Sequence, residues 1–250
     1  MPEITSNPFF RVLELWQAAY SGDAPKLQAL LADPILRDKI NYKMKSQGNH
    51  TVLFAACYGA ANAETVKILI NAGADPFLRD NNGRLPLHFA ANTKDKELIA
   101  ALLETPNMKS FRLDTASDTG QTPFHALFLP SLGVDSAVKS KNADLSSCLP
   151  LFLEVSNDPL GALRKKDNKG LSPLTFVKHY NLKSAFYPHV PPKTFEILLK
   201  SVVVPANIEE LLKPEVSTFS LELAIDDNEN IFVDANEHVL ERRSLKTMQK

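Results

Sequence analysis

The residues whose types invite chemistry are six histidines, two cysteines and one Asp-Thr-Gly triplet. Asp118-Thr119-Gly120 spells the triplet of proteases in which two facing aspartates share a proton. That chemistry needs two such aspartates in a β-rich fold, whereas the single triplet here runs straight into Thr122-Pro123-Phe124-His125 and reads as a turn before a helix. Cys57 with His50 or His88 could be drawn as a thiol nucleophile and its base, yet Cys57 stands among small residues on a helix with nothing to activate it. His179, His189 and His238 lie in dissimilar contexts without short ligand spacing, so no metal site is expected. No GxxxxGK[ST] or GxGxxG phosphate loop is present. Asn49-His50-Thr51 matches a glycosylation triplet that a cytosolic chain would not use. The expectation is a protein that is not an enzyme and takes no cofactor.

The elements that must position these residues are clearest between Glu64 and Ala91. Val66, Leu69 and Ile70 recur at the spacing of one helical face, and Gly73 stands where a helix stop needs positive φ. Asp80-Asn81-Asn82-Gly83 is a turn composition. Leu85-Pro86-Leu87-His88 then opens a second helix, with proline in the first turn, where its missing N–H costs nothing.

Asp80-x-x-Gly83-x-Leu85-Pro86-Leu87-His88-x-Ala90-Ala91 resembles the opening of an ankyrin repeat, and Gly73-Ala74-Asp75 resembles the closing turn of the repeat before it. The resemblance implies an all-α solenoid of about four to five helix-turn-helix repeats, each about 33 residues long. It also implies that His88 and His125, at one place in two repeats, hydrogen-bond backbone and brace hairpin against helix.

In chain order, residues 1–8 read as a frayed leader and 1–47 as an N-terminal capping repeat, its helical pair running from Phe9 to Leu31. Trp16, the only tryptophan, reads as a packing residue of that cap. Repeats then occupy 48–204. In the second, Thr51-Val52-Leu53-Phe54 puts Phe54 in the histidine position, which predicts a weakened polar network and more apolar packing. The third, Asp80 to Glu104, replaces its glycine turn with Lys94-Asp95-Lys96-Glu97 and ends in an irregular connection, Met108 to Ser117. The fourth opens at Asp118 and breaks near Pro130, and an insertion at about 129–147 precedes an apolar helix over Leu149–Val155. The turn glycines Gly48, Gly83, Gly120 and Gly170 are 35, 37 and 50 residues apart, the last interval carrying the insertion. The fifth opens at Asp167, with Thr194–Lys200 as its second helix. Residues 205–250 form an acidic C-terminal cap or tail: Pro214 to Glu241 holds eight acidic residues and no Lys or Arg.

With 250 residues, 44% hydrophobic content and a net charge of −1, the chain can bury a core and has no global charge to recruit nucleic acid or membrane. Two distant cysteines suit a reducing cytoplasm. No basic leader with an apolar run appears, nor 18 unbroken apolar residues. What remains is protein binding by a monomer, through the concave face and hairpin tips that stacked repeats present. The positions free to read a partner are Tyr58, Arg79, Asn81, Asn82, Arg84, Asn92, Thr93, Thr119, Gln121, Asn168 and Lys169. A second reading makes the chain a secreted bacterial effector, working in host cytoplasm, or an enzyme-associated protein with a separate activity or switch in residues 126–250. A third has a catalytic domain lost beyond Lys250.

Overall fold

The computed structural model describes residues 8–59, 63–105, 115–129, 145–156, 158–211, 232–233 and 239–240. Residues 1–7 of the leader, most of the connection at 108–117, most of the insertion at 129–147 and most of the tail beyond 211 lie outside them, while Pro8, read as the leader's last residue, is the first of a helix, where a proline needs no donor. Thirteen helices occupy the described residues: α1 (Pro8–Ser21), α2 (Ala24–Leu31), α3 (Pro34–Asp38), α4 (Val52–Tyr58), α5 (Ala63–Asn71), α6 (Pro86–Thr93), α7 (Lys96–Leu103), α8 (Pro123–Phe128), α9 (Leu145–Val155), α10 (Pro159–Arg164), α11 (Pro173–His179), α12 (Pro192–Lys200) and α13 (Ile208–Leu211). Phe232–Val233 and Val239–Leu240 pair as a two-residue antiparallel ladder.

Local chemistry sets the helix starts. Asp23, Asp95 and Asp158 side chains accept from the amides of Lys26, Leu98 and Gly161 at 2.9–3.0 Å, satisfying donors that a helix leaves unpaired at its N-terminus. The opening helices α6, α8 and α11 begin with proline instead. Behind that proline the third helical residue turns back. His88 Nδ1 accepts from Leu85 N at 3.0 Å, His125 Nδ1 from Thr122 N at 3.1 Å, and Thr175 Oγ1 from Ser172 N at 3.1 Å.

The opening helices α1, α4, α6 and α8 stack in one layer, and α2, α5, α7 and α9 in a second, the layers meeting within each repeat. The core runs between them. Leu15, Trp16, Leu53, Phe54, Leu69, Phe124 and Phe152 are buried, with Phe124 and Phe152 in contact at 5.1 Å across α8 and α9. Phe186 continues it, stacking on Phe128 at 6.0 Å and on Phe195 of α12 at 4.6 Å. Burial of each such ring contributes about 2 kcal/mol.

Several expectations shift. Helix α9 starts at Leu145, four residues before Leu149, and Pro150 lies inside it. Helix α12 starts at Pro192 because the proline sits in the first turn, where no donor is needed. Helices α3 and α10 were not foreseen. Five or six residues are too few to show a period, and only Asp33 and Asp158, each ahead of a proline, mark them. In the second repeat Gly48 (φ +66°) and Asn49 (φ +63°) are both left-handed, and Asn49 is the counterpart of Gly83, because Gly48 O, Asn82 O and Thr119 O hold equivalent places in the hairpin ladder. Gly48 therefore stands one residue before the counterpart of Gly83, and the interval from Asn49 to Gly83 is 34 residues.

Candidate partner-binding face

Successive hairpins are tied backbone to backbone. Asn81 N donates to Gly48 O at 2.8 Å, Asp118 N to Asn82 O at 2.9 Å and Asn168 N to Thr119 O at 3.0 Å. Side chains reinforce the ladder, with Asn168 Nδ2 on Asp118 O at 2.9 Å and Asn49 on Asn81. The Arg79 guanidinium donates to Gly83 O at 2.7 Å and Ala116 O at 2.9 Å, joining the third and fourth repeats. A Cβ on Gly120, at φ +80°, would lie 2.9 Å from Asn168 N, so the ladder's closeness depends on that glycine.

The histidines reach further than their own hairpins. His88 Nε2 donates to Gln121 O at 3.1 Å and His125 Nε2 to Leu171 O at 3.2 Å, each in the next repeat. Burial pushes both imidazoles down to about 4, so both are neutral, with one nitrogen donating and the other accepting. Phe54 can make neither bond. His50 stacks on its ring at 4.8 Å, and His50 Nε2 lies 3.3 Å from Asp80 Oδ2 in the following repeat. The expected weakening of the polar network is thus met by a histidine four residues earlier.

Asp80 is the centre of that substitute network. Its Oδ1 accepts from the amides of Asn82 at 2.9 Å and Arg84 at 2.7 Å, and its Oδ2 from Arg84 Nε at 2.7 Å. Burial alone would raise its carboxyl, but the His50 hydrogen bond and the Arg84 charge and hydrogen bonds hold it below the usual carboxylate range. Burial lowers His50 by more than Asp80 lifts it, so His50 is a neutral donor and Arg84 is the charge partner. His50 Nδ1 faces Tyr58 OH at 3.4 Å. Burial raises the Tyr58 phenol well above its ordinary value, which keeps its hydroxyl protonated beside the neutral His50 and the ionised Asp80. Burial likewise pushes the Cys57 thiol up, away from reactivity.

Around this network the structure gathers a row of rings. Trp16 stacks on Tyr20 at 5.3 Å, Tyr20 meets Tyr58 at 5.9 Å, Tyr58 meets Phe89 at 5.5 Å, and Arg84 lies over Phe89 at 4.5 Å. Trp16 is buried, while Tyr20, Tyr58 and Phe89 on α1, α4 and α6, and Arg84 just ahead of α6, are partly exposed. The structure therefore brings two sequence candidates, Tyr58 and Arg84, into one patch through Phe89. Tyr20 and Phe89 were missed. Phe89 carried a signal, since the same position holds Ala126 in the fourth repeat.

The remaining candidates fall into two groups. Arg79, Asn81, Asn82, Thr119, Asn168 and Lys169 are exposed at the hairpin tips, and Gln121 is partly buried beside them. Asn92 is buried and donates to Ala126 O at 3.3 Å, and Thr93 Oγ1 caps its own helix through Ala90 O at 2.8 Å. Among the described residues, no three His, Cys, Asp or Glu side chains gather as a metal site, and no helix is long and apolar enough to cross a membrane.

Residues 15–112 match the family model for ankyrin repeats, in three copies. No curated protein matches the chain. The same turn and helix opening recur at 117–128 and 167–179, past the matched stretch. Ankyrin repeats generally mediate protein–protein interaction, and domains built from them are typically non-enzymatic. By its turns, its stacked helix layers and this match, the stretch 15–112 is built of ankyrin repeats.

Proposed function

We propose that this chain is a non-enzymatic interaction module that binds a protein partner across the face formed by α1, α4 and α6, with the hairpin tips as its rim. The observation that carries this is the partly exposed row Tyr20, Tyr58 and Phe89 with Arg84 laid over the last ring. Tyrosine and arginine combine large contact area with directed hydrogen bonds, and both are enriched where interfaces draw their energy. Here the rings are already packed on one another, so little side-chain freedom remains to be lost on binding. Arg79, Asn81, Asn82, Thr119, Gln121, Asn168 and Lys169 would supply the polar rim, each to the extent that its hydrogen bonds within the stack permit. Asn92 and Thr93 would act by holding α6 in place.

In this reading residues 1–47 cap the stack, 48–204 carry the repeats with the insertion, and 205–250 form the acidic end. A reducing cytoplasm suits its two buried, unbridged cysteines. We take the free protein to be a monomer.

The test is capture from cell lysate by the full chain and by Tyr58→Ala/Phe89→Ala, with folding of both checked by circular dichroism. The expected result is a partner retained by the parent chain and reduced by about tenfold or more in the variant, in line with the loss of two central anchors. A Lys67→Ala control on the second layer should retain it. Undiminished capture by the folded double variant would remove this face as the site.

A further inference from the structure

The C-terminal end of the stack, from α10 to α12, differs from the rest in charge and in surface. Between 159 and 204 the chain carries eight Lys and Arg against two acids, Asp167 and Glu196. Both acids are engaged internally. Asp167 is buried and accepts from the amides of Lys169 and Leu171 at 3.0 and 2.8 Å, while Glu196 accepts from Lys183 Nζ at 3.1 Å and from Tyr187 OH. Between α11 and α12 a shallow cleft of about 200 Å³ is lined by Lys178, Asn181, Lys183, Glu196, Leu199 and Lys200. Tyr180 and Ile197, next in sequence to the lining residues Asn181 and Glu196, are 39% and 67% exposed, and Val203 is 83% exposed. Val203 follows the carbonyl of Val202 that accepts from Lys178, which sets it at the cleft's margin. An occupant of this surface must be acidic and apolar together.

One segment of the chain meets that description. Pro214 to Glu241 holds eight acids and no Lys or Arg. Within it Phe219, Leu221, Leu223 and Ile225 alternate with Ser220, Glu222 and Ala224, and Asp226-Asp227 follows. Such alternation separates an apolar side from a polar one. The chain is also delivered to the place. Glu209 accepts from His179, the neighbour of Lys178, at 2.8 Å, and Lys169 Nζ donates to Leu211 O at 3.1 Å. At about 3.4 Å per residue, the eight residues from Leu211 to Phe219 can extend about 27 Å, twice the length of α12 at about 1.5 Å per residue.

We infer that the acidic segment 215–227 docks on the lysine-lined cleft between α11 and α12, with its apolar side chains against Tyr180, Ile197 and Val203. Exposed charge pairs are individually weak, but a tether of this length holds the segment at an effective concentration in the millimolar range, which a modest surface can use.

The experiment is zero-length carbodiimide cross-linking of the full chain at low salt, using an equal mixture of ¹⁴N and ¹⁵N protein read by mass spectrometry. Glu222, Asp226 and Asp227 should join Lys178, Lys183 and Lys200 within one chain, at about fivefold or more the yield to Lys39, Lys67 and Lys96. Leu221→Ser/Leu223→Ser, which changes no charge and leaves the repeats untouched, should cut that yield about threefold or more through lost apolar contact. Three outcomes would overturn the proposal: no tail cross-links, an even spread over all lysines, or links only between ¹⁴N and ¹⁵N copies. Full retention by the leucine variant would overturn the apolar seating.

Discussion

The junction between the second and third repeats and the two junctions after it solve one problem by different chemistry. At the later junctions a single neutral imidazole ties an opening helix to the carbonyl ahead of the next one, Gln121 O or Leu171 O. At the earlier junction Phe54 takes that place, and the tie passes through His50, Asp80 and Arg84. The first tie is compact and uncharged, the buried Asp167 serving only amides of its own hairpin. The second runs through a buried carboxylate, and holds it with two amides, an imidazole and a guanidinium. A buried charge is tolerable only with such a set of partners, so this junction is the more exposed to loss of one group.

Asp80→Ala should break the comparison most severely. It strands Arg84, the His50 imidazole and two amides, at about 3–4 kcal/mol. Asp167→Ala, where the carboxylate serves the amides of Lys169 and Leu171, should cost less than half as much. Urea unfolding of the two variants measures the difference, and equal losses would show that the charged network adds nothing.

Acid should act in the opposite sense, chiefly on the imidazole junctions. His88 and His125 stand at about 4 against 6.5 when unfolded, so the unfolded chain binds more protons between these values. Their contribution is therefore complete above pH 6.5 and declines as pH falls to about 4, by about 1.4 kcal/mol per histidine per pH unit. His125→Phe leaves Thr122 N and Leu171 O unpaired, costing about 2 kcal/mol at pH 7.5, but it should remove one histidine's share of the slope. An unchanged slope in chemical unfolding at pH 7.5 and 5.5 would contradict the assignment.

The smallest effect sharpens the boundary between network and surface. Tyr58→Phe removes a long 3.4 Å contact to His50 and keeps the ring packing, so stability should change by about 0.5 kcal/mol or less. Partner capture by this variant then reports on the hydroxyl alone.

Much of the architecture was legible because repeats write the same local chemistry several times. The turns at Asp80 and Asp167, the prolines at α6, α8 and α11, and the paired roles of His88 and His125 are local features, visible from residue type and spacing. What escaped depends on how one repeat seats on another. Gly48 looked like the turn glycine, yet Asn49 holds the equivalent position, and only the hairpin ladder fixes that offset. His50 could not be identified as the substitute for Phe54, because its counterparts Arg84, Gln121 and Leu171 share no chemistry with it. Tyr20 and Phe89 are nearly seventy residues apart and meet the same tyrosine only through stacking of α1, α4 and α6. Asn92 looked available for the same reason that Phe89 looked unremarkable: helical spacing says which side of a helix a residue is on, not what the next helix covers.

The hairpin ladder also governs how the molecule would yield to force. Each rung joins one hairpin to its immediate neighbour, from Asn81 to Gly48, Asp118 to Asn82, and Asn168 to Thr119. Tension applied at the two ends would load the outermost rung first rather than share itself among all of them. The stack should then lengthen in a succession of small, spaced yields, each paying out one repeat of chain, and should rewind in the reverse order when the load is released.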